Sequence, residues 1–133
     1  MKDRLIQLLQ TFGYPVILQG SIDQDEAYPE SFFTFWNNDT TDGSHYDNEA
    51  ISWIWSFDVN FYSTDPTQVN EMLLNAKRLL KANGFIIGGK GHDVFSDEPT
   101  HTGRGMTALY VERGTNETEL VTELNDPLLY EKN

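Results

Sequence analysis

At 133 residues, with 38% hydrophobic residues and 17 aromatic ones (3 Trp, 6 Tyr, 8 Phe), the chain has the size and apolar content of one folded domain and too many aromatics for a disordered one. Its formal net charge of −12 repels phosphate backbones, which argues against sequence-specific nucleic-acid binding, and the lack of cysteine excludes disulfides, thiolate metal sites and cysteine nucleophiles. Polar residues interrupt the apolar ones in residues 1–10 and no apolar run approaches membrane-spanning length, so neither a signal peptide nor a membrane partner is expected.

Leu5, Ile6, Leu8, Leu9 and Phe12 recur at helical spacing, which predicts a short amphipathic helix over 3–12 with Asp3 as N-cap and Gly13 as the stop. Residues 14–18 form an extended apolar run that either pairs as a strand or returns the chain to a sheet. The link 20–30 holds Gly20, Pro29 and four carboxylates and reads as surface loop. Residues 31–36 predict a strand with Phe33 and Phe35 on one face and Phe32 and Trp36 on the other, so that both faces need cover.

Residues 37–48, Asn-Asn-Asp-Thr-Thr-Asp-Gly-Ser-His-Tyr-Asp-Asn, have a turn-forming composition and are expected to be a long loop. In 51–62 the large apolar side chains Ile51, Trp53, Trp55, Phe57, Val59 and Phe61 alternate with Ser52, Ser56, Asp58 and Asn60, giving a strand of roughly 40 Å with one apolar wall. A second helix follows, with Asp65 as N-cap, Pro66 in its first turn, a stripe of Val69, Met72, Leu73, Ala76, Leu79 and Leu80, and Asn83-Gly84 as the stop. Docked on the apolar wall, that stripe is the expected core. Residues 85–87 and 105–113 supply further strands, and 88–104, with four glycines, His92 and His101, reads as a second extended loop. The chain therefore divides into an α+β domain over 1–113, a mainly antiparallel sheet of about four strands carrying two helices, and an acidic tail over 114–133 that docks on its own domain or on a neighbour.

No motif makes an enzyme of it. Residues 84–91, Gly-Phe-Ile-Ile-Gly-Gly-Lys-Gly, keep P-loop spacing as far as Lys90, but Gly91 stands where a magnesium-holding Ser or Thr belongs, and no helix follows. His45, His92 and His101 with Asp93, Asp97 or Glu98 lack the short spacing of a metal site, and no carboxylate pair is singled out as acid and base. No cofactor, metal or catalytic residue is expected.

Several separated stretches carry a resemblance: Tyr28-Pro-Glu-Ser-Phe-Phe-Thr-Phe-Trp36, Asp47-Asn48 ahead of Trp53-Ile-Trp-Ser-Phe-Asp-Val-Asn-Phe-Tyr-Ser-Thr-Asp-Pro66, Leu80-Lys-Ala-Asn-Gly-Phe85, and Asp97-Glu-Pro-Thr-His-Thr-Gly-Arg-Gly-Met106. Over residues 14–113 the chain resembles the tail-completion proteins of long-tailed phages and prophages of Gram-positive bacteria, the tail terminators or tail-to-head joining proteins. The resemblance implies two helices on an antiparallel sheet, a hexameric ring that closes the tail tube and meets the neck, and a place at the head–tail junction of the virion after assembly in the host cytoplasm. It further implies the tail-tube protein and a neck or head-completion protein as partners, with packaged DNA passing through without specific binding. Like-charged copies repel, so the isolated subunit is expected to stay monomeric.

Interface residues are then expected from the two loops and the strand beside them: Trp36, Asp39, Asp42, His45, Tyr46, Ile54, Tyr62, Lys90, His92, Asp93, His101 and Arg104. A head-completion or stopper protein of the neck is the nearest alternative. A small-ligand or carbohydrate-binding module stacking on Trp36, Trp53 and Trp55 belongs to another class; for the last two, alternating burial against the second helix is the simpler reading. An intracellular hydrolase has no catalytic set to support it.

Overall fold

The long alternating run does become the central strand of a sheet. The computed structural model describes residues 1–22, 27–46 and 49–113, and for 42–46 and 49–51 the backbone alone. Helix α1 (Lys2–Gln10) leads into strand β1 (Val16–Leu18); β2 (Ser31–Tyr46) and β3 (Glu49–Ser63) form a long hairpin; helix α2 (Pro66–Ala82) follows, then β4 (His92–Val94) and β5 (Thr102–Arg113). Among the described residues there are thus two helices and one five-stranded sheet of order β1-β2-β3-β5-β4, antiparallel except where β1 pairs β2.

One face of this sheet holds the core. Phe33 and Phe35 from β2, Phe57, Val59 and Phe61 from β3, and Met106 and Ala108 from β5 meet Val69, Leu73, Ala76 and Leu80 of α2 and Leu5 and Leu9 of α1. Phe33 and Phe61, directly opposed across the hairpin, pack edge to face at 4.7 Å. The start of α2 is tied to the hairpin base by side chains. Asp65 accepts from the Thr67 amide at 3.1 Å, Pro66 opens the first turn, and the Ser31 and Ser63 hydroxyls both lie 3.2 Å from Oε1 of Gln68. At the other end of α2, Arg4 reaches the Asn83 carbonyl and links the two helices.

Several elements differ from the sequence reading. Helix α1 is capped by Met1 rather than Asp3, and Asp3 sits in its first turn, where a carboxylate favours the helix N-terminus. Residues 37–46 are strand, not loop. Pairing continues to Tyr46 opposite Glu49, with register breaks between Asn37 and Asp39, Asp42 and Ser44, and Ser44 and His45. The physical reason is local satisfaction: with its amide nitrogen donating to the carbonyls of Ser56 (3.2 Å) and Asp39 (3.0 Å), Asn37 staples the first break.

Residues 85–87 make one bridge, Ile86 to Leu109, instead of a strand, and the expected loop 88–104 contains β4 and the first residues of β5. Both the bridge and β4 pair the same edge of β5, so the glycines 88, 89 and 91 form a bulge in an interrupted edge strand. Gly89 and Gly91 have φ of 73° and 87°, the left-handed values glycine tolerates. Beyond Phe57 the sheet outruns its helices. Trp55 packs on the core margin and stacks on Phe57 at 5.8 Å, but it and Trp53 are only partly buried, against the expectation of full core positions.

Candidate functional site

The second face of the sheet is divided. At its base, Phe32 of β2 is 2% exposed although it points away from the helices. Tyr62 stacks on it at 5.2 Å, and Tyr28 and His101 pack on it at 5.8 Å each. The covering comes from the chain before β2 and from the segment between β4 and β5. His101 holds these two together: its Nε2 lies 2.8 Å from the Pro29 carbonyl, which only accepts, so that nitrogen carries the proton. Two glycines make the close packing possible, since a Cβ on Gly103 would stand 2.5 Å from the Tyr62 ring and one on Gly105 would stand 1.9 Å from Oδ1 of Asn60. Asn60 in turn donates to Thr34 at 3.3 Å, so both buried polar groups have partners.

Burial raises the Tyr62 phenol above the ordinary tyrosine value, with Asp97 adding to it and the hydrogen bond to Thr34 opposing. Desolvation followed by the charges of Asp97 and Glu98 raises Tyr28. Between Tyr28, Tyr62, Leu18, Phe95 and Asp97 a shallow cavity of about 180 Å³ remains, and Phe95 at its rim is 100% exposed.

Farther along, the described residues cover this face only in part, although Ser52 near its far end is buried. Ile54 stands opposite Val111, and Leu109 opposite Ser56 and beside Ile86. Ile54, Leu109 and Val111 are partly exposed; Ile86 is 57% and Trp36 47% exposed. Asp58, across from Trp36, accepts from Asn38 at 2.9 Å and Thr107 at 3.3 Å, which leaves a polar seam between the two apolar ends. Scattered exposed apolar residues are normal, but these share one sheet face.

A third feature lies on the helix side of the β5 edge. Arg104 makes a 2.7 Å ion pair with Asp93 and donates to the Lys90 carbonyl at 3.1 Å, while Lys77 of α2 donates to the Gly89 carbonyl. These contacts pin the glycine bulge to α2 and β5. Under it is a cavity of about 470 Å³ floored by Leu73, Leu74 and Met106.

The residues singled out in the sequence therefore fall into three groups. Trp36, Asp39 and Ile54 lie on the less covered part of the hairpin; Asp42, His45 and Tyr46 are on its far end, where their side chains lie outside the described residues. Tyr62 and His101 are engaged within the subunit, clasping its base. Lys90, His92, Asp93 and Arg104 sit together on the β4–β5 edge, with Asp93 and Arg104 joined to each other. The sequence reading missed Phe95, Ile86 and the paired glycines at 103 and 105; the last had a signal in Gly-Arg-Gly at the head of a strand, where glycine marks a close approach. Among the described residues no three His, Asp or Glu side chains gather as a metal group, and no helix is long and apolar enough to cross a membrane. No family model matches the chain, and no curated protein matches it significantly.

Proposed function

We propose that the protein is a non-enzymatic assembly subunit of a phage tail, a terminator that forms a ring between tail tube and neck. The reading rests on the resemblance of residues 14–113 to tail-completion proteins. The observation that carries it physically is the divided second face: the subunit covers the base of that face with its own segment, leaves Trp36 and Ile86 exposed, and leaves Ile54, Leu109 and Val111 partly exposed between them. A neighbouring copy seated there would complete the burial of an apolar strip that the subunit covers only in part. The hairpin end, the glycine bulge and Phe95 are the protrusions left to meet the tail tube on one side and the neck on the other.

Six such copies would surround a channel with acidic walls, through which DNA passes without adhering. Negative-stain electron microscopy of the concentrated protein, with and without isolated tail tubes, tests the reading. Rings capping one end of the tubes are the expected result. A protein that stays monomeric and ignores the tubes overturns it, and one that binds only the completed neck makes it a stopper instead.

A further inference from the structure

In a chain of net charge −12, residues 72–92 contain no carboxylate, yet they carry Lys77, Arg78, Lys81 and Lys90. This stretch forms most of α2 and the glycine bulge, so the cations gather on one side of the molecule. The cavity of about 470 Å³ lies within that region. Its floor is apolar, from Leu73, Leu74 and Met106; its rim is cationic, from Lys77, Lys90 and Arg104; and Leu74 on the floor is 44% exposed. Lys77 and Arg104 spend donors on carbonyls of the bulge and Arg104 pairs with Asp93, but the Lys90 ammonium has no such contact among those described and stands exposed at the rim. An occupant of matching chemistry is an acidic segment with closely spaced aliphatic side chains.

The chain contains one. Residues 115–133 hold five carboxylates and one lysine, and within them Glu119-Leu-Val-Thr-Glu-Leu124 sets Leu120, Val121 and Leu124 between Glu119 and Glu123. The reach fits as well. Strand β5 ends at Arg113, seven residues past Met106 along the same strand, or roughly 23 Å at about 3.3 Å per residue. Leu120 to Leu124 follow Arg113 by seven to eleven residues, which span at most roughly 25–40 Å when extended. A chain that turns back along the helix side after Arg113 brings these residues to the cavity, and little further length is needed.

We infer that the segment Glu119-Leu-Val-Thr-Glu-Leu124 docks in its own subunit's cavity between α2 and the glycine bulge, its aliphatic side chains on Leu73, Leu74 and Met106 and a carboxylate on Lys90. The inference concerns the isolated subunit and stands or falls separately from the ring. It gives the tail a defined role: it masks a cationic, apolar depression of an otherwise acidic chain.

Because the chain has no cysteine, a nitroxide can be placed uniquely at Asn125→Cys of the full-length protein. Methyl NMR signals of Leu73, Leu74 and Met106 should then broaden several-fold relative to the reduced label. The broadening should persist when labelled copies are diluted with an excess of unlabelled, NMR-silent ones, and fall several-fold in Lys90→Glu or at high salt. Three results each overturn the inference: no broadening, broadening that disappears on dilution, or broadening indifferent to both Lys90→Glu and salt. None of these outcomes depends on whether rings form.

Discussion

The base and the far part of the β2–β3 hairpin share a continuous backbone pairing but are stabilised differently. At the base, from Ser31 to Phe35, the strand is covered on both faces, and even Thr34 is buried. Beyond Trp36 the same strand is polar, broken three times in register, and outside the reach of the helices. Packing holds the first part; the partner strand and side-chain staples such as Asn37 and Asn38 hold the second. Backbone pairing with a few polar staples therefore maintains a strand whose composition argues for a loop, once a well-packed base fixes its register. The base holds the packed core of the hairpin, and the far part adds little apolar burial to it.

Substitutions should separate the two regions sharply. Phe61→Ala, at the centre of the base, should cost about 3–5 kcal/mol of unfolding free energy in urea denaturation. Gly105→Ala should cost about 1–3 kcal/mol, because the new methyl meets the Asn60 amide, and pairing it with Asn60→Ala should recover part of the loss. Asp65→Ala, which removes the cap on α2, should cost about 1 kcal/mol. Ile54→Asp, in the far part, should change stability by less than about 1 kcal/mol while abolishing ring formation on tail tubes. A large loss of stability in Ile54→Asp would show that the two regions are one cooperative packing unit.

The smallest expected effect concerns pH. The phenols of Tyr28 and Tyr62 are raised in the folded state, so their contribution is intact below the ordinary tyrosine pKa of 10.0 and is lost as pH rises through their folded values. Alkaline unfolding should begin there, and Tyr62→Phe should shift its midpoint upward in a fluorescence titration without changing stability near neutrality by more than the lost hydroxyl contact.

What could be read from residues alone follows from where a single period dominates. The alternation in 51–62 and the stripe from Val69 to Leu80 each express one burial face, and both elements formed as expected, as did the cap of Asp65 and Pro66. The mixed class, two helices on a mostly antiparallel sheet, followed from them. Strand β4 and the extension of β2 were illegible because neither carries an apolar alternation of its own: the three residues of β4 are held by pairing to β5 and the Asp93–Arg104 ion pair, and 37–46 by pairing to β3 and polar staples. The tryptophans misled in degree. Their alternation correctly gave the face, but alternation does not reveal how far α2 extends over it, and Trp53 lies beyond that cover.

For the candidate surface, Ile54 could be picked out as an apolar residue on an otherwise polar face, whereas Trp36, read as part of a strand covered on both faces, is 47% exposed because the cover over Phe32 ends before it. Ile86 and Phe95 could not, since their exposure depends on how the edge strand is interrupted. Likewise nothing in the local sequence distinguishes His101 as a clasp from His92 as a surface residue; the difference is the Pro29 carbonyl, 72 positions away.

The extended hairpin carries a hazard of its own. Strand β1 covers only Phe33 to Phe35 of β2, so from Trp36 onward the outer edge of β2 has no described strand beside it. An edge of that length is a template on which identical chains can zip into fibrils. The three register breaks bend this edge away from the straight geometry a second copy would need, and the aspartates at 39 and 42 set like charges against it. The polar composition that hides the strand from its sequence thus also works against fibril growth along this edge.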